Sequence, residues 1–452
     1  MTGFTDSFAP PTPTFFYEAR ATDGWSVMSN IWRDWNLTRR LGVYGGGGIG
    51  TGGQLLLPML MPRWHRLADG IPRVLRPPTG DSLPDVALGV CLEPAPSPEP
   101  SPPFGYHRWI PAMHTPVHDP TAIYRYRDCL AAADCLCAAI AHLDLFTLLD
   151  REPATLAGLC STLGLHARPA DVMLTLCAAN GLVTLDAAGV CRVTGLAREF
   201  LVAGALCDAR PYYASMADKP GVADWLKVLR TGRPANWPGE EGEADWHAAM
   251  RTEAFAESFT AAMDCRGRVL GPALARAVDL RAARQLLDVG GGSGVYAIAC
   301  AEANPALRAT VLESAPVDRI ARRSIDAAGC GDRIEVTTGD MFADAWHALH
   351  DVHLFSNVLH DWDEPRCRKL LGTSAAALPA GGRLLVHDTL LDDDKSGPLW
   401  AAEYSVLLAG VTRGRIYSAA EITAWAAAEG FGVVGRAATA LGRDVLEFVR
   451  RA

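Results

Sequence analysis

The sequence predicts an α/β fold: a doubly wound, mainly parallel sheet that ends in a C-terminal antiparallel hairpin and is preceded by an α-helical domain containing a winged helix. Three observations predict it. Beyond Gln285, strand-like apolar runs alternate with helical ones, the pattern that folds into parallel βαβ units. The last two strand-like runs, near Gly432 and Asp444, stand too close for a crossover helix and must pair antiparallel. Upstream, residues 121 to 205 pass through three helical segments into two short strands around Gly189.

Taken in order, residues 1 to 116 are an N-terminal extension to which the sequence assigns no role. They hold Phe15, Phe16, Tyr17, Trp25, Trp32 and Trp35, and a glycine tract from Gly45 to Gly53 that lacks the Lys-Ser/Thr ending of a phosphate loop. The extension closes through EPAPSPEPSPP at 93 to 103, which can neither join a helix nor donate to a sheet ladder and reads as an extended linker. In the winged-helix domain, 117 to 205, apolar residues recur at helical spacing: Leu136, Ile140, Leu143, Leu145 and Phe146, then Leu156, Leu159 and Leu163, then Val172, Leu174, Leu176 and Leu182. Winged helices often read DNA, a task that calls for a basic surface. Residues 121 to 205 carry six arginines and no lysine against eight acids, so a domain that pairs with itself is preferred to one that binds nucleic acid.

Residues 206 to 280 read as a helical connector that supplies the substrate pocket, with Tyr212, Tyr213, Trp225, Trp237, Trp246 and Phe259 spread through it. Residues 281 to 452 form the sheet domain. Its strands begin near Gln285, Ala309, Ile334, Asp351, Arg383, Gly432 and Asp444, with helices in the gaps between the first five. Such a sheet binds its ligand at the carboxyl ends of the strands.

Composition narrows the setting. No apolar run approaches the roughly 20 residues of a membrane span, and no basic segment precedes an apolar core at the N-terminus, so a cytoplasmic protein without membrane contact is expected. The 12 cysteines form no C-x-x-C pair and read as reduced structural thiols, with no metal. A net charge of −9 argues against a nucleic-acid partner.

The chemistry is concentrated at the ends of successive strands. Leu286-Leu287-Asp288-Val289 runs into Gly290-Gly291-Gly292-Ser293-Gly294 and then into a helical segment, a turn whose bare backbone and following helix N-terminus suit a small ligand. The next strand ends on Glu313, where a carboxylate can accept both hydroxyls of a ribose. Asp340 and Met341 follow the third strand, where one can accept from an adenine amino group and the other pack on the ring. The fourth leads into Ser356-Asn357-Val358-Leu359-His360-Asp361-Trp362-Asp363-Glu364, with Ser356 short enough to lie beneath the ligand.

With these motifs in place, residues 117 to 452 resemble the class I S-adenosylmethionine-dependent O-methyltransferases of small molecules, the plant caffeate-type and bacterial polyketide-tailoring enzymes. LLDVGGGSG, Gly339-Asp340-Met341-Phe342, LHDWDE and PAGGRLLV carry the resemblance. It implies a Rossmann-like sheet, a homodimer built through the winged helix, S-adenosyl-L-methionine as cofactor and a small-molecule acceptor. It also implies roles: Gly290 and Gly292 at the methionine portion, Glu313 at the ribose, Asp340 and Met341 at the adenine, Ser356 in the cofactor pocket, Trp362 packed near the cofactor and His360 as general base. Imidazole suits proton removal because it titrates near working pH.

Asp388, at the end of LLVHD, falls where plant members carry glutamate, and Ile416 stands where they carry a second one, removing an orienter for His360. His387 points to the opposite side of the strand and is taken as structural. Two further readings stay open: an enzyme of the same fold that methylates nitrogen or carbon or uses the cofactor without methyl transfer, and a catalytically inactive cofactor-binding regulator.

Overall fold

The structure, a computed structural model, describes residues 116–235 and 249–452, together with two short strands, β1 (Thr14–Tyr17) and β2 (Leu55–Pro58). The chain divides into two units, Met1–Ser97 and Pro98–Ala452. In the first, β1 and β2 pair antiparallel. The glycine tract, the proline-rich linker, Trp237 and Trp246 lie outside the described residues.

In the second unit a helical region comes first. It contains α1 (Thr121–Asp128), α2 (Ala132–Cys137), a π-helical turn at Ala138–His142, α3 (Leu145–Arg151), β3 (Ala154–Thr155), α4 (Leu156–Leu163), α5 (Ala167–Ala179), β4 (Val183–Leu185) and β5 (Val190–Val193). The hairpin expected around Gly189 is β4 and β5, and β3, which the sequence did not signal, adds a third antiparallel strand beside β5. The run from Leu136 to Phe146 is not one helix. Asp144 takes a left-handed backbone, φ 44°, and its carboxylate accepts from Thr147 Oγ1 at 2.6 Å, which restarts the chain as α3.

Then come α6 (Gly195–Phe200), α7 (Arg210–Ala214), α8 (Pro220–Thr231) and the long α9 (Glu253–Ala277). Among the described residues no single helix is long and apolar enough to cross a membrane. The bent pair α2–π turn and α3, apolar enough by composition, is packed into the core of this region through Cys137, Ile140, Leu145, Phe146 and Leu149.

The sheet domain alternates β6 (Gln285–Val289), α10 (Val295–Ala303), β7 (Arg308–Glu313), α11 (Val317–Ala327), β8 (Ile334–Thr338), β9 (Val352–Ser356), α12 (Glu364–Ala377) and β10 (Arg383–Leu391). It finishes with α13 (Leu399–Val411), β11 (Tyr417–Ser418), α14 (Ala419–Ala428), β12 (Phe431–Ala438) and β13 (Arg443–Arg450). The strand order is β8-β7-β6-β9-β10-β13-β12, parallel from β8 to β10 and antiparallel at the final hairpin, with β13 inserted between β10 and β12. The order reverses between β6 and β9, which opens a crevice at their carboxyl ends.

Side-chain alternation fixes the two faces of the sheet. Leu286, Val352, Leu354 and Leu385 join α9, α10 and α11 in one core, while Leu287, Phe355, Leu384 and Val386 join α12 and α14 in the other. Helix α13 leaves the sheet and buries Ala401, Ala402, Tyr404 and Val406 in the core of the helical region.

The structure corrects one expectation: no helix lies between β8 and β9. Residues 339–351 are turns. Asp344 accepts from the backbone N–H of Asp340, and Asp340 from that of Phe342, at 2.7 and 2.8 Å, so side chains take the bonds that a helix would need. Helix α9 lies close to α10 because Gly267 faces Val295; a Cβ there would stand 2.5 Å from Val295 Cγ1. Gly267→Val is therefore expected to cost about 1–3 kcal/mol by overpacking, read as a lower Tm, whereas a substitution at exposed Gly195 leaves Tm unchanged.

Candidate active site

The residues singled out from the sequence come together along one edge of the sheet. Gly290, Gly292 and Gly294 adopt φ of 64°, 60° and 80°, a left-handed backbone open to glycine, and the turn runs directly into α10. Asp288, 1% exposed, lies beneath this turn and accepts from the backbone N–H of Ala297 at 3.2 Å. Glu313, ending the adjacent β7, accepts from the backbone N–H of Gly292 at 3.2 Å and from that of Ser314 at 2.7 Å. Met341 reaches the turn from the other side: its sulfur is 3.8 Å from where a Cβ on Gly290 would stand. Asp340 is exposed at the rim.

Trp362 packs edge-to-face on Phe342, ring centroids 4.5 Å apart, and so joins the fourth strand end to the third. Ser356 is buried, and its hydroxyl hydrogen-bonds His387 Nδ1 at 2.8 Å, while the other nitrogen of that ring meets Thr439 at 2.9 Å. Burial, with help from the charge of Arg443, lowers His387 to about 3 and keeps it neutral, in keeping with a structural residue.

His360 lies in a short 3₁₀ turn, Leu359–Asp361, and its Nδ1 shares a 2.5 Å hydrogen bond with Asp388 Oδ1, both side chains being buried. Asp388 Oδ1 also accepts from the N–H of Thr389 at 2.8 Å. Asp361 Oδ1 stands 3.7 Å from His360 Nε2. Ile416, where a second carboxylate was sought, is fully buried in the helical core. The acid that faces Nε2 is the residue after the histidine, a position the sequence displayed within LHDWDE.

The backbone of this segment is clamped. Asp363 caps α12, Cys367 Sγ donates to Leu359 O, Tyr417 OH donates to Trp362 O at 2.6 Å, and Gly414 lies so close that a Cβ would sit 2.0 Å from His360 O. Further residues gather around His360; the stretch Trp400 to Tyr404, expected from the sequence as pocket-lining loops, is helical and supplies one of them. Tyr404 presents its ring at 5.8 Å, Arg266 and Arg443 both lie over Tyr404 at 5.3 Å, and Asn357 donates to Tyr296 OH at 2.9 Å. Asn357 holds a left-handed backbone, φ 54°, the kind of strain kept where geometry matters.

Electrostatics divide the site. Burial raises Asp288 and Glu313 to about 7 and Asp264, which accepts from Ser293 Oγ, to about 6. For His360 burial acts downward, but the neighbouring carboxylate of Asp388, with Tyr404 and Asp361, outweighs it and raises the imidazole to about 10.

A doubly wound sheet with a glycine turn after its first strand, a carboxylate ending the next and an imidazole–carboxylate pair beyond its switch point is the architecture of a class I methyltransferase. The comparisons specify which. Residues 222–432 match the model of the O-methyltransferase domain. The chain is 36% identical to 3-hydroxy-5-methyl-1-naphthoate 3-O-methyltransferase of Streptomyces sahachiroi over 62% of this chain and 81% of the relative. It is 42% identical to aclacinomycin 10-hydroxylase of Streptomyces purpurascens, over 36% of this chain and 43% of that one. An O-methyltransferase family 2 protein from Planctomyces limnophilus, solved in complex with apigenin, superposes with a TM-score of 0.69 at 31% identity, over 75% of this chain and 99% of that one.

The chain thus belongs to the S-adenosylmethionine-dependent O-methyltransferase family, and its cofactor is S-adenosyl-L-methionine. The residues fit that cofactor. Space is open beside Gly292, the thioether of Met341 flanks the turn, and Glu313 stands at the end of the adjacent strand with its carboxylate on the N–H of Gly292.

Glu313 provides a test with a defined sign. Its folded pKa is raised, so its contribution to stability is greatest below about 4.5 and falls as pH rises to about 7. Glu313→Gln removes that dependence: relative to the parent, the cofactor-free variant gains Tm between about pH 4.5 and 7. Its affinity for S-adenosylhomocysteine falls roughly 10- to 100-fold by calorimetric titration. A variant that keeps the parent's affinity would remove Glu313 from the ribose site.

Proposed function

We propose that this protein transfers a methyl group from S-adenosyl-L-methionine to a hydroxyl of a small aromatic or polyketide-like molecule, with His360 accepting the hydroxyl proton. The observation that carries this reading is the buried 2.5 Å bond to Asp388, which occupies Nδ1 and leaves Nε2 for an acceptor. The aromatic acceptor named for the Streptomyces sahachiroi relative supports the class. The cofactor supplies a methyl on a cationic sulfur. Gly290 and Gly292 hold its methionine portion, Glu313 the ribose, and Asp340 and Met341 the adenine; Ser356 underlies the pocket, and Trp362 packs beside it through Phe342.

Asp388 fixes the imidazole's tautomer and strengthens it as a base. A base near about 10 matches a phenol, whose pKa is also about 10, so the proton moves at little cost, and positioning supplies the remaining acceleration. The sign follows from the charge state. His360 must be neutral to accept a proton, so kcat/KM for a phenolic acceptor rises with pH from 7 towards about 10 and then levels. Asp388→Asn removes the charge that raises the imidazole and moves this inflection to lower pH. His360→Ala lowers kcat about 10²- to 10⁴-fold while S-adenosylhomocysteine affinity is retained. A flat profile, or full turnover by His360→Ala with labelled cofactor, would remove the base assignment.

A second reading keeps the cofactor without methyl transfer. It is favoured by the likeness to a hydroxylase and by the imidazolium state that the raised pKa implies at neutral pH. Labelled cofactor with no labelled product across phenols, naphthols and naphthoates, beside substrate hydroxylation, would select it.

The helical region with its three-stranded sheet is a winged helix that builds a homodimer in this reading. Ile123, Tyr126 and Leu130, at 75%, 78% and 69% exposure, provide an apolar surface for a second copy. Sedimentation equilibrium should give twice the chain mass, reduced to the monomer by Ile123→Glu with Tyr126→Glu. The described cysteines all carry free thiols, which supports a reducing, cytoplasmic setting.

A further inference from the structure

We propose that Arg443 is the recognition point for a carboxylate on the acceptor, so that the enzyme selects acidic aromatic hydroxyl compounds; this rests on the reading of the site as a methyl-transfer centre. Arg443 opens β13 and is 3% exposed. Its Nη1 donates to Leu441 O at 2.8 Å and its Nε to the neutral amide oxygen of Asn357 at 3.3 Å. Nη2 is buried with no hydrogen-bond partner, and the guanidinium makes no ion pair among the described residues.

Arg266 also leaves one buried nitrogen, Nε, without a partner, but its charge is met. At 4% exposure it donates from Nη2 to both oxygens of Asp128 at 2.7 Å and from Nη1 to Tyr404 OH at 3.1 Å. The two guanidiniums share Tyr404, each 5.3 Å from its ring, yet only one has a counter-ion. A buried cation without an ion pair is costly, and its pKa is lowered by burial and by Arg266 against the opposing pull of Tyr404, Tyr296 and Asp388. A ligand carboxylate would remove that cost and meet a guanidinium suited to planar anions.

The position is right for an acceptor. In register Arg443 pairs with Thr389, next to Asp388, and the ring of Tyr404 meets both its guanidinium, at 5.3 Å, and the ring of His360, at 5.8 Å. A cavity of about 200 Å³ borders Arg443 and is lined by Trp400, Leu390, Thr439 and Gly442. Its other charged groups are Asp392, Asp444 and Arg436, and the last two pair with each other, so Arg443 is the cation left for a ligand there. Asp388 and Asp361 are directed to His360.

The test uses the full chain saturated with S-adenosylhomocysteine and two probes, 3-hydroxy-5-methyl-1-naphthoate and its methyl ester, titrated calorimetrically into the parent, Arg443→Gln and Arg443→Lys. The parent should bind the acid about tenfold or more tighter than the ester. Arg443→Gln should weaken the acid about 10- to 100-fold, leave the ester within about twofold, and melt no lower than the parent because a lone buried charge is gone. Arg443→Lys should restore part of the acid's affinity. No preference in the parent, a preference that survives in Arg443→Gln, or equal weakening of both probes would overturn the proposal. An equal loss of S-adenosylhomocysteine affinity would assign Arg443 to the cofactor's own carboxylate and overturn it too. Methyl transfer is followed separately with labelled cofactor. Acid preference without transfer would sustain the Arg443 assignment and remove the methyl-transfer reading.

Discussion

The hydrogen bond between His360 and Asp388 exists because β9 and β10 are parallel neighbours in one register. His387 pairs with Ser356, which puts Asp388 level with the residue after the end of β9, and a single 3₁₀ turn then carries His360 back over β10. A slip of one residue would turn Asp388 to the other face and bring neutral His387 in its place. The register is in turn set by the two cores, since Phe355 and Val386 must face α12 while Leu354 and Leu385 face α9 and α10. Packing that looks remote from chemistry therefore decides which imidazole meets which carboxylate.

The same pair reads the position of the helical region. Tyr404 reaches His360 from α13, a helix buried in that region's core, and Gly414 presses on the carbonyl of His360. Arg168, on α5, donates to the carbonyls of Ala409 and Gly414 at 3.2 and 2.8 Å. A shift of α5 would be felt at His360 through two hydrogen bonds and a van der Waals contact.

The strand-end positions were legible in the sequence; around His360 only the stretches were, residues 206 to 280 and those near Trp400 to Tyr404, and not the side chains that meet. Gly290 to Gly294, Glu313, Met341 and His360 each follow the end of one strand, so the apolar runs that announced the strands also announced these positions. Even the failed helix at 339–351 left Asp340 and Met341 at a strand end. Arg266, Asn357, Tyr404 and Arg443 come from four segments, joined only when α9, α13 and β13 converge, and no spacing within any of them signals the meeting. Asp361 stands in plain view within LHDWDE, whereas the family position of the second carboxylate, Ile416, is filled by core packing. The restart at Asp144 was hidden for a different reason: a side-chain hydrogen bond overrode an apolar period that reads as one helix.

The distribution of charge gives these two halves a common logic. Acids whose pKa values burial raises, Asp264, Asp288 and Glu313, gather at the glycine turn, and the buried arginines Arg266 and Arg443 meet at Tyr404. Methyl transfer from a sulfonium to an ionised hydroxyl consumes a positive and a negative charge together, so its transition state is less charged than its reactants. Water, which stabilises the separate charges best, slows such a reaction, and a site that excludes water must replace hydration by fixed groups of the opposite sign. The two sets do not pair with each other: the acids accept from Ser293 and from the backbone of Ala297, Gly292 and Ser314, while Arg266 is held by Asp128 and Arg443 stands against Asn357. On this view the unpaired state of Arg443 and the raised pKa of Glu313 are two signs of one arrangement, a protein that keeps its own charges incomplete so that its ligands complete them.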